Sequence, residues 1–286
     1  MVRIHVMIEF VLVESTDLSK QRYRTSNANV EQPCWCKMGF LRRFWKQCVV
    51  RWQQPAHWHL RPGTIDRRLF RMVALQNEYR LPGRFSPDDV ILDIGAHIGS
   101  FAYAVLKRGA GRVFCFEPDE NNFRTLEQNL RPYGAQAVMA RKAVWRSGDD
   151  TRFFCLENSW DRRNTGGFRL GESTKGQCVE TVAFDGLVEE VAASSGGRIR
   201  LVKLDCEGAE WPILFSTAVL DRVSAICGEY HCWPLPSWYV VAGVERTPQN
   251  LKARLESWGF AVELQPSRER GDMGLFFGYR DAGSFS

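Results

Sequence analysis

At 286 residues and 32.8 kDa the chain has room for one large α/β domain with an appendage, and it can bury a substantial core. The net charge of +5 sits at one end: residues 1–61 carry ten Lys/Arg against four Asp/Glu, while the other 225 carry 28 against 29. A nearly neutral body argues against a broad nucleic-acid footprint, which needs a basic face, so no nucleic-acid partner is expected.

The chain opens with an apolar stretch from Val2 to Val13. Arg3, His5 and Glu9 interrupt it, and it is too short to span a bilayer. The nine cysteines are odd in number and lack a disulfide-framework spacing. Several, such as Cys115 and Cys227, lie in apolar runs, which fits reduced, buried thiols in a cytoplasmic protein. Residues 14–33 are polar and turn-rich, like a linker. In residues 37–52, Lys37, Arg42, Arg43, Lys46 and Arg51 alternate with Phe40, Leu41, Phe44, Trp45, Val49 and Trp52. That spacing suits an amphipathic helix, packed on the body with its charges solvated or resting on a membrane surface. Cys34, Cys36, Cys48, His57 and His59 are competent zinc ligands, but their spacing matches no common finger, and no structural zinc is expected. Residues 1–61 therefore read as a basic extension and residues 62–286 as the main domain.

From residue 88 the pattern becomes regular. Strands are expected at 90–94, 112–116, 199–204 and 223–228, with shorter extended pieces at 137–140 and 143–145. Helices are expected at 100–108, 121–130, 184–192, 213–220 and 248–258, and a closing hairpin at 261–265 and 274–279. Alternating strands and helices imply a mostly parallel sheet covered on both faces, ended here by an antiparallel hairpin. Asn164 to Gly167 lie in a long polar connection, either a plain surface turn or a loop that closes over a substrate.

Asp93-Ile94-Gly95-Ala96-His97-Ile98-Gly99 falls where the first strand turns into the first helix, a place where glycines let the backbone approach a ligand. Glu117 ends the second strand, 22 residues beyond Gly95, where an acid can accept from both hydroxyls of a ribose. Together these read as an adenosine cofactor site made by Asp93, Gly95, Ala96, His97, Gly99, Glu117 and Pro118. A dinucleotide fingerprint needs glycine at position 97, where His97 would crowd a pyrophosphate. S-adenosylmethionine has no phosphate, and Asp93 is expected to face its cationic end.

Four blocks resemble the FkbM-type methyltransferases. They are the Asp93–Phe101 stretch, then Phe116-Glu117-Pro118, Val202-Lys203-Leu204-Asp205-Cys206-Glu207-Gly208-Ala209-Glu210, and Glu229-Tyr230-His231. They come in the family's order within about residues 62–280, and the third is the most specific. Position 97 is often Asn in such proteins. The resemblance implies a Rossmann-like class I methyltransferase fold and methyl transfer to hydroxyl oxygens of sugars, polyketides or similar metabolites.

The expected catalytic constellation is Asp205, Glu207, Glu229, His231 and Lys203. Asp205 and Glu207 sit just past a strand's carboxyl end, and Glu229 and His231 repeat the spacing on the next strand. Pro212 requires its helix to begin near residues 209–211, because proline is tolerated only in a first turn. Two chemistries stay open: Asp205 or His231 as a general base, or Asp205, Glu207 and His231 holding a divalent metal. The plainer alternative is a helix N-terminus complemented by Glu207 and Glu210 beside a packed histidine. Lys203 is placed to neutralise the acids. The acceptor is expected to be a small molecule or glycan; no Asn-Pro-Pro-Tyr-like segment follows Leu204, which argues against nitrogen. The rival functions are an NAD(P)-dependent oxidoreductase and a binding protein that kept the fold without the chemistry.

Overall fold

The computed structural model describes residues 54–148, 153–158, 163–171, 177–235, 239 and 241–280. The chain divides into two units, residues 1–47 and 48–286. The proposed amphipathic stretch at 37–52 and Cys34, Cys36 and Cys48 lie outside the described residues. Residues 54–61, assigned above to the extension, belong with the main domain. Trp58 is buried and packs its ring 5.0 Å from those of Phe70 and Tyr103, and the His59 N–H donates to Asn129 Oδ1.

The described elements begin with α1 (Asp66–Phe70), which runs into one π-helical turn at Arg71–Leu75. Then come β1 (Val90–Ile94), α2 (Ser100–Lys107), β2 (Arg112–Phe116), α3 (Glu120–Leu130), β3 (Ala137–Ala140) and β4 (Ala143–Trp145). These are followed by β5 (Phe153–Asn158), β6 (Phe168–Gly171), β7 (Gln177–Ala183), α4 (Phe184–Ala193), β8 (Leu201–Leu204) and α5 (Glu210–Ser216). The chain closes with β9 (Ala225–His231), α6 (Pro248–Ser257), β10 (Ala261–Pro266) and β11 (Met273–Tyr279).

The main sheet has seven strands in the order β10-β11-β9-β8-β1-β2-β3. β3, β2, β1, β8 and β9 run parallel, and β11 and β10 add the expected antiparallel pair. Strand order reverses at β1, which opens a crevice beyond its carboxyl end. Every residue of β1 is buried, as a central parallel strand requires. Its alternation assigns Val90, Leu92 and Ile94 to one apolar core and Ile91 to the other, on the face that carries Phe101, Ala102 and Val105 of α2.

Three expectations need correction. The helix placed at 213–220 is α5, three residues earlier, and it ends where Thr217 turns extended; Leu220–Arg222 is a separate 3₁₀ turn. The strand placed at 223–228 starts two residues later and runs on to His231, held by β11 in the register Met273↔His231 and Leu275↔Glu229. The supposed polar connection contains β5, β6 and β7, which join β4 in a second sheet of order β4-β7-β5-β6.

Candidate active site

The turn after β1 is shaped by backbone constraints. Gly95 has φ +76°, and a Cβ there would lie 1.8 Å from the Asp205 carbonyl oxygen, so only glycine lets the β1 and β8 ends approach this closely. His97 adopts φ +52°, a left-handed conformation that Asn tolerates more readily. Its N–H donates to Glu117 Oε2 at 2.8 Å. Glu117 Oε1 accepts the Asp119 N–H at 2.9 Å and Asn122 Nδ2–H at 3.3 Å. Burial lifts the Glu117 carboxyl to about 7, against the pull of the Asp119 and His97 N–H groups.

These residues line a cleft with about 670 Å³ of empty space, its solvent-open part included. Gly95, His97, Glu117 and Pro118 line one part of it, and Asp205, Cys206 and Glu207 another. Gly166, Phe168 and Leu170 also line it, so the Asn164–Gly167 turn is part of the cleft rather than a remote surface feature. Three expected cofactor residues do not line it. Ala96 and Gly99 shape the turn: the Ala96 N–H donates to Phe116 O, and a Cβ at Gly99 would press on Leu126. Asp93 is fully buried on the α2 face of the sheet, so its expected approach to the cofactor's cationic end is not seen.

The reason is Lys203, its registered neighbour on β8. Lys203 Nζ lies 3.2 Å from Asp93 Oδ1 and 3.7 Å from Asp205 Oδ2, and it donates to Gly95 O at 2.6 Å. Burial would strip this lysine of its proton, but Asp93 and Asp205 more than offset that and raise its pKa. Lys203 therefore neutralises the acids from beneath and ties the β1 turn to β8, without facing the cleft.

A second network, which no local motif announces, lies beside the Glu117 end of the cleft. Arg61 grips both oxygens of buried Asp66, Nε at 2.8 Å and Nη2 at 2.9 Å, and Nη2 also donates to Asn122 Oδ1. Thr165 Oγ1 donates to Asp66 Oδ1 at 2.8 Å and lies 2.9 Å from His97 Nε2, while Asn122 Nδ2 donates to Thr165 O. Burial pulls the His97 pKa to about 4, so the ring is neutral and its Nε2–H can serve the threonine oxygen.

Beyond Asp205 the chain does not stay extended. Glu207 has φ +55° and Gly208 φ +106°, so the alternation expected to align Asp205 with Glu207 is broken by a turn. The side chains that converge are Asp205, Glu229 and His231, whose ligand-type atoms all lie within 4.8 Å of one another. This is the only such group of His, Cys, Asp or Glu among the described residues, and it replaces the expected trio of Asp205, Glu207 and His231. Glu207 lines the cleft nearby, and burial raises its carboxyl to about 8.

His231 is fully buried, with Nδ1 2.8 Å from Glu210 Oε1 and Nε2 3.4 Å from Glu229 Oε2. Burial favours the neutral ring, but Glu210, then Glu229, reverse this and raise its pKa well above the ordinary value. A histidine held this way is a weak general base, which moves that role toward the carboxylates. Glu210 is itself fully buried and also accepts the Gly208 and His231 N–H groups. Tyr79 donates its hydroxyl to Asp205 Oδ2 at 2.9 Å, and Glu78 beside it is lifted to about 7 by burial and by Glu229 and Asp205. Both residues sit in a turn whose ends, Asn77 and Arg80, are left-handed.

Strand order, the β1 turn and the Glu117 cleft define a Rossmann-like class I methyltransferase fold. Residues 93–258 match the methyltransferase FkbM domain, more than half of the chain, and the protein belongs to that family. No curated protein sequence matches it. Similar solved structures include the N-terminal domain of EvdMO1 with SAH bound, at 15% identity over 83% of this chain and 96% of that one, TM-score 0.41. The precorrin-6y C5,15-methyltransferase from Geobacter metallireducens shares 14% identity over 74% and 87%, TM-score 0.38. An rRNA methylase from Streptococcus thermophilus shares 10% over 72% and 95%, TM-score 0.37.

Proposed function

We propose that the protein is an S-adenosylmethionine-dependent O-methyltransferase acting on a hydroxyl of a small molecule or glycan. The observation that carries this reading is one cleft lined both by Glu117 and by the strand-end acids Asp205 and Glu207. The cofactor residues fit the group. Gly95 and His97 line the cleft beside Glu117, which has about four acceptor positions of which three are in use. Asn122, at 3.3 Å the longest of those contacts, yields most readily to a ribose hydroxyl. When bound, S-adenosylmethionine supplies an electrophilic methyl group on a sulfonium. The protein's share is to orient the acceptor and take its proton, since a neutral alcohol is a poor nucleophile. Asp205 is suited to proton removal, because its side chain is 28% exposed toward the cleft and steadied by Tyr79.

A nearly neutral body, and a cleft lined by Glu117, Asp205 and Glu207 against Lys142, favour a small acceptor over nucleic acid. No helix among the described residues is long and apolar enough to cross a membrane. A cytoplasmic location is our inference from the cysteine usage, and contact of residues 37–52 with a membrane surface is a proposal resting on their sequence alone. The test is transfer of labelled methyl from S-adenosylmethionine into a metabolite extract, with calorimetry against S-adenosylmethionine and NAD. Binding of NAD without S-adenosylmethionine would overturn the assignment in favour of an oxidoreductase. Binding of S-adenosylmethionine with no transfer to any hydroxyl would leave a binding protein.

A further inference from the structure

We infer that Asp205, Glu229 and His231 form a divalent-cation site beside the cleft, which Asp205 alone of the three lines, with Glu210 as the residue that orients the histidine. The catalytic use of the ion rests on the O-methyltransferase reading; the site itself does not. Two carboxylates alone would not carry the inference, because acids at strand ends are often merely solvated. The independent observation is His231. Its side chain is fully buried, and its Nε2, with no partner closer than Glu229 Oε2 at 3.4 Å, is aimed into the space shared with Asp205 and Glu229.

The other face of the ring explains why Nε2 points there. Glu210 Oε1 lies 2.8 Å from Nδ1 and also accepts the His231 N–H at 2.9 Å, so the Nδ1 proton is held in place. With Nδ1–H committed to a carboxylate, Nε2 is the nitrogen that can ligate a cation, giving up its proton to do so. A carboxylate behind a ligating imidazole is the usual support of metal-binding histidines. Trp211 Nε1 donates to His231 O, and the Trp233 ring lies 4.3 Å from the imidazole, so the ring is boxed in.

Backbone topology supplies the convergence. Glu229 and His231 are two apart on β9 and face the same way, and the parallel neighbour β8 delivers Asp205 one residue past its end. Two oxygens and one imidazole nitrogen suit a first-row divalent ion such as Mn²⁺, and three protein ligands leave coordination positions open. An acceptor hydroxyl bound there would be acidified and fixed beside Asp205.

The test uses the full-length protein stripped with a chelator. Mn²⁺ is titrated in and free ion is read by electron paramagnetic resonance, while S-adenosylhomocysteine binding to the same sample reports the fold. The expectation is one Mn²⁺ per chain in the wild type and none in Glu229→Gln. Glu210→Gln, which leaves all three ligands in place, should weaken Mn²⁺ about ten- to a hundredfold. Absence of Mn²⁺ binding by protein that binds S-adenosylhomocysteine would overturn the site and leave the methyltransferase reading standing. Unchanged Mn²⁺ affinity in Glu229→Gln would overturn it equally. Mn²⁺ binding with the expected losses, but without cofactor binding, would support the site and overturn the methyltransferase reading.

Discussion

The two ends of the cleft are built on opposite principles. At the cofactor end nearly every polar group has a partner: Glu117 accepts three hydrogen bonds, and Arg61, Asp66, Thr165, His97 and Asn122 form a connected set. At the other end Asp205 and Glu207 line the cleft, with Glu78 and Glu229 crowded behind Asp205, and burial holds Glu78, Glu207 and Glu229 above the usual carboxylate range. A saturated network gives a fixed shape for a constant ligand. An under-neutralised cluster is costly in the free protein and is relieved when a cation or an acceptor arrives.

The largest expected effect breaks the acceptor end alone. Asp205→Asn should reduce turnover by about 10² or more, the usual scale for a lost acid–base group, while cofactor affinity stays near wild type. Labelled methyl transfer and calorimetry measure the two quantities. Full turnover would make the cluster structural, and lost cofactor affinity would mean that the two ends are not separable.

Glu117→Gln probes the other end with little change in size. Losing about 3 kcal/mol of charge-assisted hydrogen bonding should weaken S-adenosylmethionine about a hundredfold. The pH dependence sharpens this. Burial raises Glu117 from 4.5 to about 7, so its contribution to apo stability is present at acid pH and is lost as pH rises through about 7. Cofactor binding needs the ionised form and runs the other way, so affinity should rise from pH 6 to pH 8 in the wild type. In Glu117→Gln it should be flat, and a persistent slope in the variant would assign the titration to another group.

A smaller loss is expected from the network of Arg61, Asp66, Asn122, Thr165 and His97. Thr165→Val removes a hydrogen bond to the buried Asp66 carboxylate, worth about 1.5–3 kcal/mol. Part should appear as cofactor affinity weakened about tenfold, and part as a lowered melting temperature, with the acceptor KM unchanged. A shift in acceptor KM alone would move this turn to the other end of the cleft. Smallest of all is Tyr79→Phe, which frees Asp205 Oδ2 but leaves the ring packed edge-on against Phe101. A loss in kcat of about three- to tenfold is expected, with the pH profile displaced. An unmoved profile would show that Tyr79 only packs.

The cofactor end is the more legible in sequence because its parts are local. β1 and β2 fall on the residues expected, and the glycine turn and Glu117 follow one another at fixed offsets. The acceptor end is legible as residue types but not as a set. Alternation groups Glu207 with Asp205, but the left-handed backbone at Glu207 breaks it, and Glu229 takes that place. Partners joined across the chain leave no local signal: Tyr79 meets Asp205 across 126 positions, and Thr165 meets Asp66 across 99. β5 to β7 escape a reading of the sequence because their stretch is short-stranded and punctuated by Gly, Asn and Arg, which mimics a loop.

Arg61 lies outside the segment that marks the family, yet it is wired to Asn122 and through Asp66 to Thr165. Homology therefore draws the unit too small. A fragment trimmed to the matched residues, or cut at 62, would keep every recognisable motif while severing the guanidinium that closes the circuit. A cut at 62 would also leave Asp66 a buried charge without its main counter-ion. Transplanting this catalytic module into another protein would thus require carrying its upstream flank, Trp58 and Arg61 included, as an integral component.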